Sequence, residues 1–175
     1  MKETTSHSNA NKPGNANKAG NAKKASGALE LASRVAQLVS IADVTMLRGS
    51  FEFRDAAAHP ETDARGFTTK VREEHIVDKR GITVRPRMDV EAKFRPHVKR
   101  ARFVRVSAEF EILYRWRSEA RPDRDAIGAF ARVNGVYNVW PYLREFVQSS
   151  TVRLGVQPLT LPTLTAERAA MLAGP

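Results

Sequence analysis

Residues 134–164 read NGVYNVWPYLREFVQSSTVRLGVQPLTLPTL and decide the fold expected for this chain. Asn134-Gly135 predicts a break, and Pro141 suits the first turn of a new helix, where a missing amide hydrogen costs least. Apolar residues then recur at intervals of three and four, which predicts one packed face, and Gly155 predicts the helix end. An extended apolar segment with two prolines follows. The stretch holds no group suited to bond chemistry, so it indicates packing and association.

Upstream of this stretch the sequence changes to a period of two. Apolar residues occupy the even positions from Ile82 to Phe94 and from Val104 to Trp116, and most residues between them are polar or charged. This alternation predicts antiparallel strands with one buried and one solvated face. Residues 95–100 form a hairpin-sized connection. Two weaker strands are predicted before them, and residues 55–66 read as a crossover loop. The residues that mark the weaker strands are Thr45, Leu47, Phe51, Phe53, Phe67, Val71 and Val77.

Helices are predicted before the first strand and after the last strand in the sequence. Residues 29–39 carry one apolar stripe at helical spacing, formed by Leu31, Val35, Leu38 and Val39. After the last strand, Asp123 is a candidate N-cap for a helix running to the break at Asn134. Four strands followed by helices predict an α+β fold with a four-stranded antiparallel sheet.

The first 28 residues are rich in Asn, Lys, Ala, Gly and Ser and lack aromatic side chains. Such a segment buries too little apolar area to offset the entropy of ordering, so we predict a disordered basic tail, followed by a single domain over residues 29–175. The tail either solubilises the chain or tethers it to a polyanion. The whole chain has 29 Lys and Arg against 19 Asp and Glu, a formal net charge of +10.

Several classes of function lack a sequence signal. The chain has no Cys, which excludes disulfides, thiolate nucleophiles and Cys-based zinc sites. The four His residues show no metal-ligand spacing, and no phosphate-binding or nucleophile motif is present. No apolar run is long enough to span a bilayer, and the N-terminus does not read as a secretory signal. We therefore predict a cytoplasmic protein that is not an enzyme and binds no cofactor. The His residues are His7, His59, His75 and His97.

A basic cluster surrounds the predicted hairpin tip. Its members are Arg95, Lys99, Arg100, Arg102 and Arg105. Side chains at such a tip could reach phosphates, so a nucleic-acid-binding module is one alternative. The other reading is a charged tip that discourages edge-to-edge strand pairing.

The carboxy-terminal third resembles the SecB-like export chaperones. The resemblance rests on residues 137–145 (YNVWPYLRE), on Arg153-Leu-Gly155 after an apolar helix, and on the segment 158–162 (PLTLP). It implies a sheet with helices packed on one face and a homotetramer, a dimer of dimers, with the long helix at the interface. The implied activity is ATP-independent holding of unfolded or non-native polypeptides, as in preprotein export. The interface candidates are Trp140, Tyr142, Leu143, Phe146 and Val147.

The resemblance also implies partners. Clients would be gripped by apolar side chains on and after the proline-rich segment, and plain packing is the alternative for these leucines. The family serves either the SecA motor or, in another branch, an antitoxin of a toxin–antitoxin system. Export members dock SecA through acidic residues on the exposed sheet face, whereas this face carries as many basic residues as acidic ones. Client candidates are Leu159, Leu161, Leu164 and Leu172; docking candidates are Glu52, Glu109 and Glu111.

Overall fold

The computed structural model describes residues 14–54, 64–94 and 102–174. The fold is α+β, as the order of periodicities predicts. The elements are α1 (Gly14–Ala36), β1 (Val39–Arg54), β2 (Ala64–Val77), β3 (Gly81–Phe94), β4 (Arg102–Trp116), α2 (Arg124–Arg153) and α3 (Ala166–Ala173).

The four strands form one antiparallel sheet in the order β1-β4-β3-β2. β1 and β2 are consecutive in the chain but lie at opposite edges, so the connection between them crosses the sheet, as predicted. β3 and β4 are neighbours, which confirms the hairpin. Most of the predicted crossover loop (residues 55–63) and the hairpin tip (residues 95–101) lie outside the described residues.

The period of two separates a buried face from a solvated one. The even positions of β3 from Ile82 to Ala92, and of β4 from Val104 to Tyr114, are buried, and they face the helices. The rings of Tyr114 and Phe130 of α2 meet edge to face, with centroids 4.8 Å apart. The helices thus pack on one face of the sheet, and the other face meets solvent.

β1 departs from the simple alternation because the register shifts between Ile41 and Asp43 and between Met46 and Arg48. Each shift inserts one extra residue, as in a β-bulge. After the second shift Phe51 pairs with Val106, so it shares the helix-side face with Met46 rather than with Leu47. The predicted grouping of Leu47 with the two phenylalanines of β1 is therefore wrong.

α2 is a single helix of 30 residues, not two helices. Asp123 is its N-cap, as predicted: its carboxylate accepts the amide hydrogen of Ala126 at 2.7 Å. The break predicted at Asn134-Gly135 is wrong because Gly135 is buried where the helix crosses β3. A Cβ there would stand 3.0 Å from Val84 Cγ1, so glycine permits a close crossing. Gly155 follows the helix with a positive φ of 68°, which confirms the predicted stop.

α1 begins at Gly14, so the prediction of disorder is wrong for residues 14–28. Alanine and lysine are good helix formers, and the helix gains a partner because it packs against α2 and α3. Ala25, Ala32 and Val35 are buried there. The helix ends before Val39, which starts β1 instead. The remainder of the predicted tail, residues 1–13, lies outside the described residues.

Candidate functional site

The helix layer covers the sheet unevenly. The helices pack over β2, β3 and β4 and leave most of the helix-side face of β1 open. Three apolar side chains on that face are exposed: Ile41 at 50%, Met46 at 38% and Phe51 at 41%. We call these three residues the open β1 face. Within the described part of the chain, no strand pairs with the outer edge of β1. Apolar surface beside an unpaired strand edge is typical of a site that binds another polypeptide.

One residue of α2 connects the helix layer to β1. The ring of Phe146 lies against Gly49, where an added Cβ would come within 2.6 Å of its Cζ. Glycine at this position therefore lets the ring approach the strand. Tyr142 stands one turn earlier on α2 and is 49% exposed. Tyr142 and Phe146 thus extend the open β1 face onto the helix.

The other three predicted interface residues do not reach the surface. Trp140, Leu143 and Val147 are buried in the core of the chain itself. Their placement on an interface is wrong because the same apolar stripe of α2 packs on its own sheet. The sequence shows the stripe but not which surface covers it.

Residues 158–164, the proline strip, run back along α2. Three hydrogen bonds fix the strip: the Leu159 amide donates to Thr151 Oγ1 (3.0 Å), Arg144 Nε to the Leu161 carbonyl (2.7 Å), and Trp140 Nε1 to the Pro162 carbonyl (2.8 Å). Extended backbone lacks internal hydrogen bonds, so these side chains of α2 satisfy part of its polar groups. The contact of Arg144 with a carbonyl has no sequence signal.

The proline strip buries one of the predicted client-binding leucines. Leu161, a predicted client-binding residue, is 0% exposed and belongs to the core, so its side chain is not accessible to a client. Leu159, Leu164 and Leu172 are partly buried and pack against that core while part of each remains accessible. The alternative of plain packing therefore holds for Leu161 alone among the four.

The outer face of the sheet carries rows of opposite charges. Arg85 Nε donates to Glu111 at 2.8 Å, and Arg105 donates to Glu91 at 3.0 Å. Glu109 pairs in register with Arg87 on one side and Arg48 on the other. Glu52, on the same face, stands opposite Arg105. Charged side chains therefore pair across the strands, and the acidic ones are interleaved with basic ones rather than gathered into one acidic surface.

The hydroxyl of Tyr114 is a titrating group inside the core. Burial raises the pKa of the Tyr114 hydroxyl, which accepts a hydrogen bond from Asn138 at 2.8 Å inside the core.

Within residues 14–54, 64–94 and 102–174, no three His, Asp or Glu side chains are grouped to hold a metal ion. In the same ranges, no helix is both apolar and long enough to cross a membrane. His75 contacts Glu73, with 3.2 Å between Nδ1 and Oε2.

The chain is similar in structure to a known protein. No family model and no curated protein matches the sequence. Among solved structures, the SecB-like chaperone Rv1957 of Mycobacterium tuberculosis, in complex with a ChAD peptide from the Rv1956 HigA1 antitoxin, superposes with a TM-score of 0.62. The match has 20% sequence identity and covers 81% of this chain and 98% of that chain.

The fold is SecB-like. The similar structure also has nearly its whole length in common with this chain, so the shared region is not a fragment. A Streptococcus agalactiae protein of unknown function matches with a TM-score of 0.29 and 11% sequence identity. This match covers 71% of this chain and 96% of the other chain.

Proposed function

We propose that this chain is a SecB-like chaperone, an ATP-independent holdase that binds unfolded or non-native polypeptides in the cytoplasm. The observation that carries the proposal is the open β1 face: Ile41, Met46 and Phe51 stay exposed on the helix side of the sheet, where the helices pack over the other three strands. Proteins with a stable monomeric surface rarely leave such residues grouped in water. The SecB-like fold adds support, because the similar mycobacterial chaperone is bound to a peptide.

Holding a client at this face needs no chemistry beyond burial and backbone pairing. Apolar surface contributes about 25 cal/mol per Å² removed from water, so about 400 Å² gives about 10 kcal/mol before the costs of ordering. An extended client segment would also pair with the edge of β1 that no described strand occupies, which adds affinity that is independent of side-chain identity. Both terms tolerate many sequences, as a holdase requires. The accessible parts of Leu159, Leu164 and Leu172 are further client-binding candidates.

We propose that the working form is a homotetramer. Tyr142 and Phe146 are the interface candidates that remain accessible on α2. Association through them would leave less apolar surface free to aggregate. Light scattering tests the assembly: we expect about four times the chain mass of 19.5 kDa, and the mass of one chain would contradict it.

An aggregation assay tests the holdase function. Two unrelated proteins, each unfolded chemically and diluted into buffer, are mixed with a stoichiometric amount of the purified chain, without nucleotide. We expect light scattering from both aggregating proteins to fall strongly. Unchanged scattering for both would refute the proposed function, and protection that requires ATP would refute its nucleotide independence.

A dedicated antitoxin chaperone is the second candidate, favoured by one observation. The similar mycobacterial structure holds an antitoxin peptide. A chaperone with one dedicated client would protect that client and not the two unrelated proteins. The same assay with a candidate antitoxin therefore separates the two functions.

Coupling to SecA has less support. Docking through Glu52, Glu109 and Glu111 would need an acidic surface, and basic side chains stand opposite these residues on the outer face. Opposite charges in register reduce the field that a basic partner would meet. If preproteins are nevertheless the clients, SecA binding should weaken on charge reversal of Glu109, which native binding measurements would detect.

A further inference from the structure

Exposed basic side chains gather at one end of the sheet, where β2 and β4 end and β1 and β3 begin. They come from residues 78–80, in the turn between β2 and β3, and from residues 115–121, which lead from the end of β4 toward α2. These two segments hold five basic and two acidic residues, a net charge of +3. We call the five basic residues the basic end: Lys79, Arg80, Arg115, Arg117 and Arg121.

Trp116 brings the two segments of the basic end together. Its amide donates to the Arg80 carbonyl at 3.1 Å, and its indole Nε1 donates to the Asp78 carbonyl at 3.1 Å. Gly81, the residue after Arg80, pairs in register with Arg115. The turn after β2 therefore lies beside the end of β4, and the basic side chains of both segments share one edge of the molecule.

The guanidinium of Arg121 is held over an aromatic ring. Its Cζ lies 4.6 Å from the centroid of the Trp116 ring. Its Nη1 donates to the carbonyls of Ser118 (2.7 Å) and Ala120 (3.2 Å), which fixes its position. Because Arg121 is exposed, the guanidinium face that points away from the ring can stack with an unpaired nucleic-acid base.

The ion pairs of the fold leave the basic end available. The carboxylate of Asp78 accepts the amide hydrogens of Arg80 (2.7 Å) and Gly81 (2.9 Å), so it closes the turn. Asp123, at the start of α2, pairs with Arg34 at 3.4 Å. Within the described parts of the chain, no ion pair involves a residue of the basic end. Its charges can therefore be neutralised by phosphate groups of a partner.

We propose that the basic end binds single-stranded nucleic acid, with Arg121 stacked on a base and the other four basic side chains on phosphates. Four of the five residues are arginines, whose planar donors fit phosphate oxygens. Stacking on a base requires no particular sequence, so we expect many sequences to bind. The basic end shares no residue with the open β1 face, so its failure would leave the proposed chaperone function unchanged. It also lies at the other end of the sheet from the connection between β3 and β4.

Fluorescence anisotropy of a short labelled single-stranded RNA, titrated with the full chain at several salt concentrations, tests the site. Four phosphate contacts predict that log affinity falls with log salt with a slope of about −2.8, because each contact contributes about 0.7 on a single strand. Affinity should therefore fall about fifty-fold between about 50 and 200 mM salt.

A variant with both Arg115→Gln and Arg117→Gln should lose two of these contacts. We expect its affinity at low salt to fall about tenfold or more, and its salt slope to be shallower by about 1.4. A variant with both Arg72→Gln and Arg153→Gln is the matched control, because it removes the same charge from exposed positions within β2 and in the last turn of α2. This control should bind the RNA nearly as tightly as the wild type.

Four results would overturn the proposal. The first is no binding of the RNA at low salt, and the second is an equal loss of affinity in the two double variants, which would indicate an effect of net charge alone. The third is equally tight binding of a polyglutamate peptide, which would indicate that any polyanion binds. The fourth is a loss of binding in Lys99→Gln with Arg100→Gln but not in Arg115→Gln with Arg117→Gln, which would assign the interaction to the hairpin cluster. Circular dichroism verifies folding, and Lys79→Gln with Arg80→Gln replaces the first pair if that variant does not fold.

Discussion

Leu161 lies in a motif that suggested client binding, but its burial assigns it to the core of the chain. Its truncation therefore tests the packing of the proline strip. Its side chain is 0% exposed in the middle of the proline strip. Leu161→Ala leaves a cavity, and such changes cost about 2–5 kcal/mol depending on how far the site can collapse. Hydrogen bonds from Arg144 to the Leu161 carbonyl and from Trp140 to the Pro162 carbonyl hold the strip at this residue and the next, which limits collapse. We therefore expect a loss of about 3–4 kcal/mol in the free energy of unfolding.

Urea unfolding followed by tryptophan fluorescence measures this loss. With a slope of about 2 kcal/mol/M, the midpoint should fall by about 1.5–2 M. All variants are compared at one protein concentration, because association makes the midpoint concentration-dependent. Leu159→Ala is the matched control: this leucine keeps part of its surface in water, so its truncation should cost below about 1.5 kcal/mol. A Leu161→Ala midpoint within about 0.3 M of the wild type would refute the burial argument.

Three further changes test the packing of α2. Tyr114→Phe removes the acceptor for Asn138 in the core, and we expect a loss of about 1–2 kcal/mol by urea unfolding. Gly135→Leu forces a side chain toward Val84, and we expect a loss of at least about 1–3 kcal/mol, measured in the same way. Asp123→Ala removes the N-cap of α2 and should cost about 1 kcal/mol.

Alkaline pH adds a second readout for Tyr114. Burial raises the pKa of its hydroxyl, so the folded state keeps the proton to higher pH than the unfolded state. This stability is fully present below about pH 10, the ordinary tyrosine pKa, and is lost as the pH rises through the folded value. The thermal midpoint of the wild type should therefore fall more steeply above pH 10 than that of Tyr114→Phe. If the thermal midpoints of the wild type and Tyr114→Phe fall in parallel above pH 10, this reasoning is wrong. For Gly135→Leu, a urea midpoint equal to that of the wild type would contradict the packing argument.

The sheet was predictable from the sequence because alternation has an exact period. The even positions of β3 and β4 are apolar and buried, and the helices lie on that side. The bulges of β1 were not predictable, since one extra residue at position 47 moves Phe51 to the other face without changing any local propensity. The open β1 face follows from these bulges together with the uneven helix cover, and neither leaves a local signal.

The helices were predicted in part because tertiary contacts override local signals. Glycine and proline inside α2 predicted a break, yet packing of Gly135 on β3 favours one continuous helix. In α1, burial of Ala25 orders part of a segment whose composition suggested a tail. The motif of residues 134–164 predicted the SecB-like fold correctly, but it could not separate Leu161, which is fully buried, from Leu159 and Leu164, which are partly buried. That distinction depends on which side of the proline strip faces α2.

The central claim is that the open β1 face holds non-native polypeptides. The most direct test compares how well the wild type, Phe51→Glu and Ile76→Glu suppress the aggregation of unfolded proteins. Phe51 and Ile76 are both exposed apolar residues of edge strands. Phe51 lies on the open β1 face, whereas Ile76 belongs to β2 and lies on the outer face of the sheet. If the open β1 face holds non-native polypeptides, the wild type and Ile76→Glu should suppress aggregation of unfolded proteins while Phe51→Glu should not. Suppression by Phe51→Glu equal to that of the wild type, or no suppression by the wild type, would contradict the claim.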